Sequence, residues 1–397
     1  MVPARAQTFK FAPLAALALS ACGGPPTEPS APAGCSDVGT ICAYAGDGMA
    51  AFTGEGELAL ATSLYWPVDL EFAPDGRPYI LDWQNHRVRR VDADGRLRTV
   101  FGTDEIGDGP LPGAGDETMP PGVPATSINL NHPTDIQFSP DGSALILAAW
   151  HNHKIRAMDL ATNLAEIVCG RGPGYAGDGG PEGTALMNQP KSIALAPSGD
   201  LYVLDTRNFR IRRIAAATGD IQTVAGVGTR GASGDGGDPL AAQFSFQADG
   251  DNPEPGGAIA LDAEGRLYVA DTENHRIRRV DFARAVIETV AGDGTRGGGG
   301  DGGPAALAQL DHPRDVELAP DGRLFIADTE NHRVRAVDLT TGTIDTVAGD
   351  GTSGPGGDGG AAYAAQLARP FGIAFNADGD LFIADTMNSR IRRVVRP

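Results

Sequence analysis

Long apolar runs, aromatic residues and basic residues are all scarce in this chain of 397 residues. No apolar run reaches the roughly 18 residues of an ordinary membrane-spanning helix, so no such span is expected. Aromatic residues make up 6% of the chain beside 55 Gly and 29 Pro, which favours many short turns over long helices. The formal net charge is −19, with 32 Lys and Arg against 51 Asp and Glu. Because nucleic acid is bound largely through cations, we expect no nucleic-acid partner.

The N-terminus carries a short basic segment followed by an apolar run and small residues. Arg5 and Lys10 precede the apolar residues 11–19, which lead into the sequence LSAC. These features are typical of an export signal, and LSAC resembles the lipoprotein box of bacteria, in which the cysteine becomes the lipidated N-terminus. We therefore expect residues 1–21 to be a lipoprotein signal peptide. The alternative is an ordinary cleaved signal with an incidental cysteine.

The predicted lipidation site is Cys22, which begins a Pro- and Gly-rich tether over residues 22–38. Acyl chains on this cysteine would anchor the protein to a membrane. Gly23 follows in place of Asp, which resembles the outer-membrane address of the enterobacterial sorting pattern. The predicted location is the bacterial cell envelope, at the outer membrane. In that oxidising setting Cys35 and Cys42 are close enough in sequence to form a disulfide or to remain free.

An eleven-residue block recurs along the rest of the chain. The block DTENHRIRRVD at 271–281 returns as DTENHRVRAVD at 328–338, and related copies start at residues 82, 149, 205 and 385. An apolar run and a turn precede each copy, and a short β-rich run follows the first five. Each unit therefore predicts four short strands.

Four-stranded units of this size cannot bury both faces alone, so a fixed period predicts that neighbouring units pack on one another. Six such units arranged radially form a β-propeller. We predict an all-β fold, a six-bladed propeller over residues 39–397. The last unit stops after its third strand, whereas residues 40–48 resemble the fourth-strand run 345–351. An N-terminal strand is thus predicted to complete the last blade and hide its edge.

The recurring pattern, with its strand-initial Pro, its Asp-Gly turn and its Asp-Thr-x-Asn-His-Arg block, resembles the NHL repeat. The accompanying GDGGPAALAQL resembles the variety found in bacterial secreted proteins and in teneurins. The resemblance implies the propeller fold, but it leaves function open because the family includes binding scaffolds, sensor domains and a few enzymes. The block itself reads as a structural part, a polar turn whose Arg pairs with an Asp of its own or the adjacent blade.

Carboxylates recur at one position of the predicted innermost strands, in Asp69, Asp135 and Asp315. Because these strands surround the axis, the three side chains are candidate ligands for a central Ca²⁺ or other divalent cation. Water and Arg314 could balance the same charges instead. No other cofactor is expected.

Departures from the repeat cluster in the connections that share one rim, here called the top face. Trp83 and Trp150 replace the Thr of four other units, and Trp66 follows Tyr65 before a strand-initial Pro. Exposed aromatic residues near a cavity mark recognition surfaces, although these rings could instead pack the insertions at 104–124 and 245–255. The candidate ligand-binding residues are Tyr65, Trp66, Trp83, His132, Trp150, His151 and His153. The three His could alternatively bind a metal.

Catalysis has no positive support in the residues. The amidating lyases that resemble this family carry metal-binding His after the strand-initial Pro, where this chain has Val68, Thr134, Lys191, Gly257, Arg314 and Phe371. We predict a non-catalytic envelope protein whose top face binds a protein, a peptide or a glycan. The alternatives are a metal-dependent hydrolase or lyase acting at the central channel, and a purely architectural protein.

Overall fold

Alternating apolar residues give each repeat unit strands that are buried on both faces. In the segment Leu324–Asp328 every residue is buried. Successive side chains of a strand point to opposite faces, so Phe325 and Ala327 pack against one neighbouring sheet while Leu324 and Ile326 pack against the other. Each sheet is therefore a wedge that needs a partner on both sides.

Six such antiparallel sheets form a closed ring in the computed structural model, which describes residues 35–248, 250 and 254–397. Their inner strands touch in chain order, and the inner strand of the sixth sheet contacts that of the first. The predicted six-bladed propeller is confirmed. The predicted signal peptide 1–21, the predicted lipidation site Cys22 and residues 23–34 of the predicted tether lie outside the described residues. Within the described part, no helix has the length and apolarity to cross a membrane.

The strands of each blade are given from the axis outward. Blade 1 contains Pro67–Phe72, Pro78–Asp82, Arg87–Val91 and Leu97–Phe101. Blade 2 contains Pro133–Phe138, Ala144–Ala149, Lys154–Asp159 and Leu164–Cys169. Blade 3 contains Pro190–Leu195, Leu201–Asp205, Arg210–Ile214 and Asp220–Ala225. Blade 4 contains Ala258–Leu261, Leu267–Asp271, Arg276–Asp281 and Val286–Ala291. Blade 5 contains Pro313–Leu318, Leu324–Asp328, Arg333–Asp338 and Thr343–Ala348.

Blade 6 takes its outer strand from the beginning of the described chain. Its first three strands are Ile373–Phe375, Leu381–Asp385 and Arg390–Val394, and its fourth is Ile41–Ala45. The pairing is antiparallel, with Ile41 opposite Val394. This arrangement confirms the predicted closure. A disulfide joins Cys35 to Cys42, the second residue of that strand.

Short elements complete the connections. The fifth, two-residue edge strands of blades 2, 3 and 5 are Val123–Pro124, Gly180–Pro181 and Gly303–Pro304, and Gly109–Pro110 pairs with Ile128–Asn129. Single 3₁₀ turns between the second and third strands are Trp83–Asn85, Trp150–Asn152, Thr206–Asn208, Thr272–Asn274, Thr329–Asn331 and Thr386–Asn388. Those that precede the inner strands are Ala59–Ala61, Ala125–Ser127, Glu182–Thr184, Pro239–Ala241, Ala305–Leu307 and Ala362–Ala364.

One fully buried arginine of the third strand clamps each blade. Arg335 donates to Asp301 Oδ1 of the preceding GDGG loop through Nε at 3.0 Å, and its Nη1 lies 3.7 Å from Asp328 Oδ2. The block thus pairs its Asp with its second Arg, whereas the Arg directly after the His, Arg333, which was predicted to make this pair, donates to the backbone carbonyls of Gly298 and Asp350 at 3.1 and 3.2 Å. The clamp arginines of blades 1 to 6 are, in order, Arg89, Arg156, Arg212, Arg278, Arg335 and Arg392.

Blade 2 builds its clamp differently, because Ala149 stands where the other second strands end in Asp. Arg156 donates from Nε to Glu117 Oε2 at 2.9 Å and from Nη2 to Asp108 Oδ1 at 2.8 Å. Both acids come from the insertion at 104–124, which therefore serves the third strand of this blade.

Candidate functional site

A cavity of about 190 Å³ opens among the turns of the top face. It is lined by residues of the connections before the inner strands, of the 3₁₀ turns and of the loop before blade 4. These residues are Trp66, Val68, Trp83, Gln84, His132, Trp150, His151, Glu254, Phe371, Thr386 and Met387. Blades 1, 2 and 6 supply all of them except Glu254.

Aromatic rings form one continuous wall of the cavity. The rings of Trp66 and Trp83 lie 6.4 Å apart at an interplanar angle of 20°, and Trp150 lies 6.4 Å beyond Trp83. His151 stacks on Trp150 at 3.8 Å, and Tyr65 packs edge-on against Trp66 from behind. All 3 Trp of the chain therefore meet at this one place.

The repeat itself explains where these rings stand. Thr272 occupies the position of Trp83 in blade 4, and its hydroxyl donates to the carbonyl of Pro313 in blade 5 at 2.6 Å. The rings of Trp83 and Trp150 take the place of such a hydroxyl. Trp66 has a φ of 53°, the left-handed conformation also adopted by His132 before the inner strand of blade 2. This shared backbone conformation accompanies the placement of Trp66 and His132 at the cavity.

The imidazoles beside these indoles are uncharged at neutral pH. Burial, followed by the charge of His132, lowers the pKa of His86 and of His151 to about 4. Burial also lowers the pKa of His132, whose Nδ1 lies 2.7 Å from Asn131 Oδ1 and 3.2 Å from His151 Nδ1. This wall therefore offers flat faces and neutral hydrogen-bonding edges.

An ionised group closes the opposite side. Arg314 donates from Nη2 to Glu254 Oε2 at 2.7 Å, and Arg369 donates from Nη1 to Oε1 at 3.0 Å. Burial raises the pKa of Glu254, but the hydrogen bond from Arg369 and the charge of Arg314 outweigh it, so the pKa lies below its usual range. Both guanidinium groups also lie over Phe371, at 4.7 and 5.6 Å from its ring centre.

Five of the seven residues predicted to bind ligand line the cavity: Trp66, Trp83, His132, Trp150 and His151. Tyr65 supports Trp66 from outside the cavity lining. His153 does not line the cavity, since its Nδ1 accepts the backbone N–H of Gln189 at 3.1 Å and so ties blade 2 to blade 3. The structure thus gathers most, but not all, of the predicted set.

The prediction that the two turn tryptophans are exposed is wrong. Trp83 is 9% exposed and Trp150 is 1% exposed, and both belong to the apolar core between blades 1 and 2. They pack this core and line the cavity at once. The insertions differ as well, because residues 104–124 contribute no side chain to the cavity lining whereas 245–255 contributes Glu254.

The variability of one position in the repeated block points to several further cavity residues. Gln84, His151 and Met387 occupy the third position of the repeated block, which Arg207 occupies in blade 3. This position changes type in nearly every copy while the following Asn never changes. A position that varies inside a fixed turn marks a side chain that the fold does not require.

The axial carboxylates form a belt between blades. Asp69 accepts the backbone N–H of Ile136 at 2.9 Å, and Asp135 and Asp315 make the same bond to the inner strands of the next blades. Burial, with repulsion among these acids, raises the pKa of Asp69 well above its usual range, and burial raises that of Asp135 to about 7. The channel beside them has a volume of about 20 Å³.

A different set has the spacing of metal ligands. Among the described residues, the one group of three or more His, Cys, Asp or Glu whose ligand atoms lie within 4.8 Å of one another is His275, Asp311 and His312. Neither the axial carboxylates nor the His of blade 2 form such a group. A central cation, like the hydrolase or lyase that would use it, stays a prediction.

The family model of the teneurin NHL domain matches residues 36–281, more than half of the chain, and that of the NHL repeat matches residues 310–336. This protein belongs to the teneurin NHL domain family. The resemblance to the NHL repeat that the sequence pattern predicted is therefore confirmed.

Relatives of the domain occur inside much longer proteins. The chloroplastic protein SUPPRESSOR OF QUENCHING 1 of Arabidopsis thaliana is 28% identical over 66% of this chain and 24% of its own length. Teneurin-1 of Mus musculus is 26% identical over 83% of this chain and 12% of its own length. The chain thus spans a minor part of each relative.

Solved structures agree on the fold. An auxiliary nutrient binding protein from Bacteroides thetaiotaomicron superimposes with a TM-score of 0.61 at 17% identity, covering 89% of this chain and 75% of that protein. At this identity the likeness shows the propeller architecture alone.

Proposed function

We propose that this protein is a non-catalytic binding protein of the bacterial cell envelope that captures a protein, a peptide or a glycan on its top face. The observation that carries the proposal is the meeting of Trp66, Trp83 and Trp150 around one cavity. All three depart from the residues that other blades place at those positions. The predicted signal peptide and lipidated Cys22 support the location.

The size of the cavity limits what enters it. Pockets for drug-sized ligands usually measure about 300–1,000 Å³, whereas this one measures about 190 Å³. It suits a single side chain or one sugar ring that anchors a larger partner. Binding interfaces commonly depend on a few such buried anchors surrounded by weaker contacts.

The lining specifies the chemistry of the anchor. Stacked indole rings favour a flat apolar face, such as an aromatic ring or the C–H face of a sugar. Glu254 in the same lining suits polar substituents.

The structural likeness to a protein described as nutrient binding supports a binding role on this architecture. Fold alone does not carry function, so the argument rests on the cavity. A purely architectural role would leave the variable third position of the block without a purpose.

The test uses intrinsic tryptophan fluorescence, because every Trp of the chain lies at the cavity. Monosaccharides and N-acetylated amino-acid amides are titrated into the purified protein, and at least one class is expected to change the emission saturably. Met387→Arg should abolish the change by placing in the cavity the residue that blade 3 tolerates at this position. Trp66→His, which installs the residue of blades 2 and 5, should weaken it.

The matched control is Arg207→Met, the reverse exchange on blade 3, which does not line the cavity and should leave the titration unchanged. Trp→Ala variants of Trp83 or Trp150 are unsuitable, because their burial makes loss of stability inevitable. No saturable response to any probe, or an equal response from Met387→Arg, would contradict the proposal.

A further inference from the structure

The junction of blades 4 and 5 brings two imidazoles and a carboxylate together on the top face. His312 Nδ1 lies 2.6 Å from Asp311 Oδ1, and His275 Nδ1 lies 3.8 Å from the same oxygen. A second carboxylate, Glu273, has its Oε1 3.7 Å from His312 Nε2. These residues come from the 3₁₀ turn of blade 4 and from the segment before the inner strand of blade 5.

The junction of blades 1 and 2 has the same backbone but lacks the carboxylates. His86 and His132 cross edge-on at 4.6 Å, as His275 and His312 do. The backbone N–H of His132 donates to His86 Nδ1 at 3.3 Å, and the backbone N–H of His312 donates to His275 Nδ1 at 3.2 Å. The remaining two positions hold amides in one junction and acids in the other, with Gln84 opposite Glu273 and Asn131 opposite Asp311.

This comparison separates what the repeat needs from what it does not. The amide version shows that the turn, the His–His contact and the hydrogen bond between blades form without any acid. Asp311 and Glu273 are therefore additions to a frame that is complete without them. An acid added twice beside a fixed pair of imidazoles changes the chemistry of the site rather than its fold.

We propose that the junction of blades 4 and 5 binds a divalent transition metal of the zinc class, with His275, Asp311 and His312 as ligands and Glu273 beside them. Imidazole nitrogen together with carboxylate oxygen suits Zn²⁺, Co²⁺ or Ni²⁺. Ca²⁺ and Mg²⁺ prefer sites built from oxygen alone. Such an ion would bridge two blades on the side of the top face that lies away from the tryptophans.

Three existing contacts must yield when the ion binds, and the first is the hydrogen bond between His312 Nδ1 and Asp311 Oδ1 at 2.6 Å, whose proton the ion replaces. Arg296 Nε donates to Asp311 Oδ1 at 3.1 Å, but the arginine side chain is 62% exposed and can swing into solvent. The backbone N–H of His312 must also release His275 Nδ1, because that nitrogen has a single lone pair to give to the ion. Arg296 therefore covers the carboxylate in the metal-free protein and competes with the ion for it.

The test titrates Zn²⁺ into the purified full chain by calorimetry, with Co²⁺ absorption as a second readout and Ca²⁺ as the comparison ion. We expect one saturable Zn²⁺ site and a higher unfolding temperature in its presence, because an ion that binds only the folded state stabilises it. Asp311→Asn copies the residue found between blades 1 and 2, so the fold is preserved. It should weaken Zn²⁺ binding at least about tenfold, the loss known even for residues that only support metal ligands.

A second variant guards against misfolding. His275→Phe copies Phe209, which adopts the same left-handed turn position in blade 3 with a φ of 50°, and it should also weaken the site. Arg296→Ala should instead tighten it. The proposal is overturned if the unaltered chain binds no Zn²⁺, if both ligand variants bind it equally well, or if Ca²⁺ is bound as tightly as Zn²⁺.

Discussion

The two halves of the top face share a backbone and differ in the residues placed on it. On the side of blades 1 and 2 the shared positions carry indoles, amides and neutral imidazoles around a cavity. On the side of blades 4 and 5 they carry Thr hydroxyls that bind the next blade, and acids beside the imidazoles. The comparison teaches that the repeat fixes where side chains point, whereas the individual copies decide what chemistry occurs there.

The buried clamps should show the largest difference between the two sides. Glu117→Ala leaves Arg156 with only the half-exposed Asp108, whereas Asp301→Ala leaves Arg335 with the fully buried Asp328. Breaking a buried ion pair from one side costs about 3–5 kcal/mol, so we expect a loss in this range for Glu117→Ala and a smaller one for Asp301→Ala. Urea unfolding of the two variants measures this difference, and equal losses would contradict it.

The turn residues should give the next largest effect. Trp150→Thr installs the residue of blades 3 to 6 but removes a ring that is packed in the core, and large core truncations cost about 3 kcal/mol or more. Thr329→Val removes only the hydroxyl that donates to Pro370 at 2.7 Å, a loss of about 1 kcal/mol. Thermal unfolding checks the order. If Trp150→Thr is no worse than Thr329→Val, the ring is not part of the core.

Exchanging amides for acids between blades 1 and 2 should create a second metal site. The double variant Gln84→Glu and Asn131→Asp gives blades 1 and 2 the residues of blades 4 and 5. Ile106 stands there at the position of Arg296, so no arginine competes. We expect the number of Zn²⁺ ions bound per chain to rise from one to two. A number that stays at one would mean that the carboxylates are not sufficient.

Folding should shift the pKa values of the imidazoles in opposite directions on the two sides of the top face. The carboxylate of Glu273, whose Oε1 lies 3.7 Å from His312 Nε2, outweighs burial and raises the pKa of His312, whereas burial lowers that of His132 and brings that of His86 to about 4. A proton therefore binds the His86 imidazole more readily in the unfolded chain than in the folded protein. The stability that His86 contributes is complete above about pH 6.5 and is lost as the pH falls through about 4. For His312 the contribution is complete below about pH 6.5 and is lost as the pH rises through its folded pKa.

Proton-detected titration of the imidazole resonances in the metal-free protein measures this order. The midpoint of His312 should lie above that of His132, and His86 should titrate last as the pH is lowered. Coincident midpoints for His132 and His312 would show that Asp311 and Glu273 do not act on the ring.

The fold was predictable because each unit repeats its own constraints. The alternation in LFIAD, the Asp-Gly turns and the stray fourth-strand sequence near Ile41 each specify local structure, and six copies leave one way to close the ring. An Asp–Arg pair was expected from the same block, although it uses the second Arg of the block and not the one directly after the His. Repetition therefore supplied information that a single unit would not contain.

The site was less predictable because it depends on where the copies differ. The insertion that places Glu254 at the cavity has no counterpart in other units, so the repeat gives no guide to its path. The burial of Trp83 and Trp150 depends on the packing between two blades, which the sequence of one turn does not reveal. For the same reason, the sequence did not reveal that Glu117 pairs with Arg156 in blade 2, where Ala149 replaces the Asp of the other clamps.

The most direct measurement of the central claim, that departures from the repeat on blades 1, 2 and 6 form a binding cavity, is NMR mapping of the three indole N–H signals. Monosaccharides and N-acetylated amino-acid amides are again the probes. We predict that a bound probe shifts the indole signals of Trp83 and Trp150 while the backbone amides of Asp311 and His312 stay in place. Indole signals that remain unmoved by every probe, or shifts confined to blades 4 and 5, would contradict the account.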